Sequence, residues 1–270
     1  MYQSIENTTF MIAIVLYIAS AVLSLLSVTG IVKKGGKVAT SLALAGFIIH
    51  TAAMVARTIG AGRLPFSNQY EFALSFSWGI VLSYLVLYRL YGFSAIGAFV
   101  MPLAILVMGY ASLQSKDVRP LMPALQSYWL TFHVGTAILS YGAFALAAGI
   151  SVIYLIDERK KDSQRLVQDP EVSDMLSYRV IAFGILMLTI VIISGAIWAQ
   201  KAWSRYWAWD PKETWSLITW IIYAIYLHLR LRRNWKGRAA AWFSIFGFIS
   251  VLFTFVGVNI LLPSLHSYAT

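Results

Sequence analysis

The sequence predicts an all-α, polytopic membrane protein with about eight transmembrane helices and both termini on the outer (periplasmic or lumenal) side. Three observations carry this. Of 270 residues, 59% are hydrophobic and 12% charged, against a charge fraction of about 25% in soluble domains. The apolar residues fall into runs long enough to cross a hydrocarbon core of about 30 Å as helices, and the period-2 alternation of a barrel is absent. The 21 Lys and Arg residues lie in short clusters between those runs. That pattern reports topology, not a nucleic-acid partner.

In chain order the expected spans are Phe10–Val32, Val38–Ile59, Tyr70–Tyr91, Phe93–Leu113, Ser127–Ile156, Tyr178–Trp198, Thr214–Leu231 and Ala239–Leu262. Met1–Phe10 has no Lys or Arg, and the run behind it exceeds a signal-peptide core, so the first span reads as retained. Tyr91–Gly92–Phe93 joins the third and fourth spans tightly. The fifth run is longer than a bilayer requires and is expected to project or tilt. Alternate connections hold 14 of the 21 basic residues: Lys33, Lys34 and Lys37; Arg89; Arg159, Lys160, Lys161, Arg165 and Arg179; Arg230, Arg232, Arg233, Lys236 and Arg238. The positive-inside rule places these in the cytoplasm. No second domain or internal repeat is visible, so residues 1–270 read as one transmembrane domain. The charged Asp157–Ser177 connection reads as a solvated loop.

The loop between the sixth and seventh spans is anomalous. Five of the ten Trp residues fall within Trp198–Trp215. An aromatic belt would spread them over all helix ends; here they concentrate in one outer loop, at residues 199–214. Clustered indoles with interspersed cations suit a planar ligand with an apolar face and anionic substituents. At its end, Asp210, Pro211 and Glu213 read as N-cap, first helical residue and capping-box partner of the next helix.

With no cysteine, the chain has no disulfide, thiolate ligand or thiol chemistry, and histidine, carboxylates and aromatics must carry any function. His133, near the outer end of the fifth span, and His266, beyond the eighth, lie at the level of the tryptophan loop. His228 lies near the cytoplasmic end of the seventh span, and His50 midway along the second. A histidine inside a span is either a satisfied interhelical hydrogen bonder or a functional group. Arg205, Lys201, Lys212, Arg63 and Arg119 could pair with an anionic ligand or with lipid headgroups. Glu71 is expected to pair with Arg63.

The run Trp203–Ser204–Arg205–Tyr206–Trp207–Ala208–Trp209–Asp210–Pro211–Lys212–Glu213–Thr214–Trp215 resembles the WWD signature of the cytochrome c assembly superfamily of haem-handling proteins. Its Asp-Pro-Lys-Glu continuation is similar to the CcsA (ResC) branch of the System II pathway. Gly62–Glu71, Trp129–His133 and Val258–Tyr268 also match that branch. One departure is Ser204, at a position that is commonly Gly.

The resemblance implies haem b as a transported and presented substrate, held by Trp198, Trp203, Arg205, Tyr206, Trp207, Trp209 and Asp210. It implies His133 and His266 as axial ligands of an outer site, consistent with bis-histidine ligation, and His228 in an inner site. His50 is left between haem transit and an interhelical hydrogen bond. The implied function is that of the haem-transporting and haem-presenting subunit of a cytochrome c synthase. Its partners would be a CcsB/ResB-type membrane protein and apocytochrome c, in a bacterial inner (plasma) membrane or a thylakoid. Its catalytic contribution would be positioning, with no catalytic side chain assigned. A HemX-like regulator of haem biosynthesis and a b-type electron-transfer cytochrome are the alternatives.

Overall fold

The computed structural model describes residues 1–160, 166 and 169–262. His266 lies outside the described residues. Among these the chain is helical, without strands. Eight long helices run α1 (Tyr2–Val28), α2 (Gly35–Ala61), α3 (Gln69–Tyr91), α4 (Gly97–Ser112), α5 (Tyr128–Asp157), α6 (Pro170–Trp203), α7 (Pro211–Arg232) and α8 (Arg238–Leu261). A 3-10 turn, Ser94–Ile96, leads into α4, and α8 widens into a π turn over Phe253–Gly257. Among the described residues, seven helices are long and apolar enough to cross a membrane. The one outside that set, α7, has 22 residues, but its Trp, Tyr, His and Arg side chains lower its hydropathy. The chain is a multi-pass helical membrane protein.

The expected spans match these helices in place, and the ends differ where capping decides. Asn68 accepts from the Glu71 amide to start α3, and the left-handed Gly92 ends it. Asp169 caps α6 with Pro170 in its first turn. This helix therefore begins eight residues before the expected span, inside the connection read as a loop.

The chain divides into two compact units, one spanning Met1–Val118 with α1–α4 and the other containing α5–α8. In the first, α1 packs on α2 and α4, and α3 on α2 and α4. Helix α1 turns its polar residues inward: Glu6, Tyr17, Ser20 and Ser24 are buried, whereas Met11, Val15, Ile18, Val22 and Leu25 are exposed. In lipid, aliphatic groups gain nothing by turning inward, so polar groups find one another instead. Ser20 donates to the Ala39 carbonyl at 2.7 Å, and the Tyr17 hydroxyl lies 3.2 Å from His50 Nδ1. A buried charge network joins three helices. Arg57 meets Glu71 at 2.9 Å and Glu6 at 3.7 Å, Arg63 meets Glu71 at 2.7 Å, and the Tyr70 hydroxyl donates to Glu6 at 2.7 Å. Glu71 thus has the expected Arg63 and a second, deeper cation.

In the second unit α5 is central: every residue from Ser140 to Ser151 is buried. Its small residues, including Gly142, Ala143, Ala145, Ala147, Ala148 and Gly149, admit neighbouring helices closely. Phe144 stacks on Tyr223 of α7 with centroids 3.8 Å apart. Chain order and short connections put the start of α5, the end of α6, the start of α7 and the end of α8 together at one end of this unit. Asp174, Arg230 and Gly237 tie the other end together.

Candidate functional site: the tryptophan loop and its histidine

The end of the second unit that gathers the α6–α7 connection is built by helix capping. Helix α6 stops at Trp203 because Ser204 turns into the left-handed region, with φ of 59°. Six residues later Asp210 starts α7. Its Oδ1 accepts from the Lys212 amide at 3.0 Å, while Glu213 Oε2 accepts from the Asp210 amide at 3.2 Å and from Ala208 at 2.8 Å. That is the capping box expected from the Asp-Pro-Lys-Glu run. Between the two caps Trp209 also has positive φ, 55°, an uncommon and strained state for a bulky side chain. Its indole is 69% exposed, and Tyr206 beside it 61% exposed.

Four of the loop's tryptophans meet in pairs, and Trp215 packs instead on Phe253 of α8, with centroids 4.2 Å apart. Trp207 and Trp209 meet edge to face, with centroids 5.7 Å apart and an angle of 89°. Trp198 is 1% exposed and packs edge-on to Trp203 at 4.9 Å. It also faces His133, whose ring lies 6.1 Å away at 23°. Trp198 therefore supports the histidine from within the protein, whereas Trp209 and Tyr206 offer the open surface. Arg205 is exposed and Asp210 buried in its capping role.

His133 sits in the second turn of α5. Its Nδ1 lies 2.9 Å from the Val191 carbonyl of α6. A carbonyl can only accept, so Nδ1 carries a proton, and in the neutral ring the lone pair is then on Nε2. This tautomer suits ligation through Nε2, and metal-ligating histidines characteristically donate their other N–H in this way. One helical turn before this histidine, the start of α5 borders a pocket of about 260 Å³ lined by Pro123, Gln126, Ser127, Tyr128, Trp129 and Lys201. Lys201 lies 5.9 Å over the Trp129 ring. Neither the pocket nor the contacts of His133 to Val191 and Gly195 were singled out from sequence. Trp129 and His133 fall in one short motif, but their α6 partners are some sixty residues away in the chain, and only packing pairs them.

The other candidates lie apart. His228 is exposed on α7, 17 residues from Pro211 and so roughly 25 Å along the helix from the loop. His50 belongs to the first unit, fully buried against Tyr17. Arg63 is engaged by Glu71 in that unit; Arg119 is exposed and Lys212 half-buried.

A bundle of membrane-crossing helices with a capped, tryptophan-rich connection beside a part-buried histidine defines the class, and the sequence comparisons agree. The chain belongs to the Cytochrome C assembly protein family, whose profile matches residues 66–266. Its similar relatives are named cytochrome c biogenesis protein CcsA. That of Guillardia theta is 36% identical over 82% of both chains. That of Synechococcus sp. (strain CC9902) is 38% identical over 86% of both. That of Chlamydomonas reinhardtii is 39% identical over 77% of this chain and 62% of the relative. Among solved structures, cytochrome c heme lyase CcmF shares the fold, with a TM-score of 0.76 at 16% identity. The match covers 98% of this chain and 47% of CcmF, so the chain spans about half the length of that protein.

Proposed function

We propose that this chain is the haem-transporting and haem-presenting subunit of a cytochrome c synthase, with haem b as substrate. The observation that carries the reading is His133. Its proton is committed to the Val191 carbonyl and its ring is backed by Trp198, at the end of the unit that carries the exposed Trp209 and Tyr206. Imidazole and indoles at one level suit iron ligation together with a flat apolar macrocycle.

In this reading His133 and His266 hold the iron, while Trp203, Trp207, Trp209 and Tyr206 face the macrocycle. Cations of the loop, Arg205 and Lys201 among them, meet the propionates. His228, far along α7, serves an inner site. An apocytochrome c presents two thiols, and each adds across a vinyl double bond: sulfur bonds to one vinyl carbon, the thiol hydrogen passes to the other, and no electron is gained or lost. The chain has no cysteine, so it supplies position and not the accepting thiol. A CcsB/ResB-type membrane protein is the partner, in a bacterial plasma membrane or a thylakoid.

The test is the haem spectrum of the protein purified with and without a CcsB-type partner, as wild type, His133→Ala and His266→Ala. Each substitution is expected to lower haem content and remove the six-coordinate, low-spin spectrum of the outer site. Wild-type haem content and spectra in both variants would overturn the reading.

A further inference from the structure

We infer that α6 carries a slot for the His133 imidazole, in which Gly195 is the positioning residue that sets the ring's orientation for iron ligation. The inference rests on the reading of His133 as a ligand.

Val191, Gly195 and Trp198 are spaced by four and three residues, which places them on one face of α6. Each meets the same ring differently. The Val191 carbonyl accepts a hydrogen bond from Nδ1 at 2.9 Å, and the Trp198 indole lies nearly parallel to the ring at 6.1 Å. At Gly195 the ring occupies the space a side chain would need. A Cβ there would fall 2.8 Å from His133 Cε1 and 2.9 Å from Nδ1, well inside contact distance.

The absence of that Cβ also explains how the hydrogen bond forms at all. A helical side chain leans over the turn before it, so residue 195 would cover the carbonyl of residue 191. Glycine leaves that carbonyl open to sideways approach by a second donor. The Ser194 hydroxyl also comes within 3.2 Å of it but binds the Ile190 carbonyl more closely, at 2.6 Å. Glycine inside a helix costs about 1 kcal/mol relative to alanine, and Gly195 has no positive φ that would require it. The imidazole is what its missing side chain accommodates. Gly135, on α5 itself, has nothing within 4 Å of its would-be Cβ and serves as the contrasting position.

The test compares Gly195→Ala, Gly135→Ala and His133→Ala in the purified protein, reading haem affinity and the iron spin state. Alanine favours the helix, so weakened haem binding in Gly195→Ala would not reflect a weakened α6. Gly195→Ala is expected to reduce affinity about tenfold to a hundredfold, the usual range for losing an outer partner of a metal-ligating histidine. It is also expected to shift the spectrum away from low spin, with added imidazole restoring it. Gly135→Ala is expected to match wild type. A His133→Ala protein with wild-type haem would remove the ligand reading itself. Loss in His133→Ala with wild-type affinity and spectrum in Gly195→Ala would overturn the slot alone. Independently of any folding defect, ¹⁵N shifts of the histidines in haem-free wild type, assigned with His133→Ala, should show His133 protonated at Nδ1. Protonation at Nε2 would likewise overturn the slot.

Discussion

Ser204 holds a left-handed backbone, with φ of 59°, at the end of α6. Cβ crowding makes that state about 1–2 kcal/mol worse for an L residue than for glycine, while glycine loses more chain entropy on folding. The turn is therefore kept without the residue that suits it best. Ser204→Gly is expected to raise stability by up to about 1 kcal/mol, read as a higher thermal unfolding midpoint in detergent. A lower midpoint would mean that the serine side chain contributes more than the strain it carries. Trp209 differs, because its positive φ belongs to a bulky aromatic residue that is largely exposed. Backbone strain of this kind clusters at functional sites.

Helix α7 shows how an element's first turn holds that strain. Glu213 accepts from both the Ala208 and Asp210 amides, so one carboxylate fixes the residues on either side of Trp209. Glu213→Ala is expected to cost about 1 kcal/mol, typical of a lost cap. Amide hydrogen exchange should rise at 208 and 210, while exchange deep in α7 stays slow. Glu213→Gln keeps an acceptor oxygen and should restore most of the protection. Unchanged exchange in the alanine variant would show that packing alone holds the loop. The capping box was legible because it is local: its donors and acceptors lie within six residues. The α6 slot was not, because its parts meet only when α5 packs on α6.

At the scale of the molecule, the alternation of basic clusters predicts that residues 33–37, 89, the 159–165 segment and 230–238 face the cytoplasm. Reporter fusions after residues 36, 160 and 236 are expected to be active as cytoplasmic reporters, and fusions near 119 and 205 as exported ones. The opposite pattern would invert the topology and move the tryptophan loop to the inner side. The number and order of helices were readable because apolar runs must be about a bilayer long whatever they pack against. Helix ends were less so. The first turn of α6 is polar and charged, and what extends the helix there is the Asp169 cap.

By itself the sequence determined the helical membrane class, the succession of spans, the capped aromatic loop and the family motifs. Each of these depends on residues adjacent in the chain or one helical turn apart. Only the tertiary structure decided that Trp198 is a buried support while Trp209 is open, that Glu71 answers to Arg57 as well as Arg63, and that His133 donates a hydrogen bond to α6. In a membrane, apolar residues serve the lipid face and the interior alike, so hydropathy cannot tell which side of a helix turns inward. That choice is made by the few polar groups, and their partners are far away in the chain.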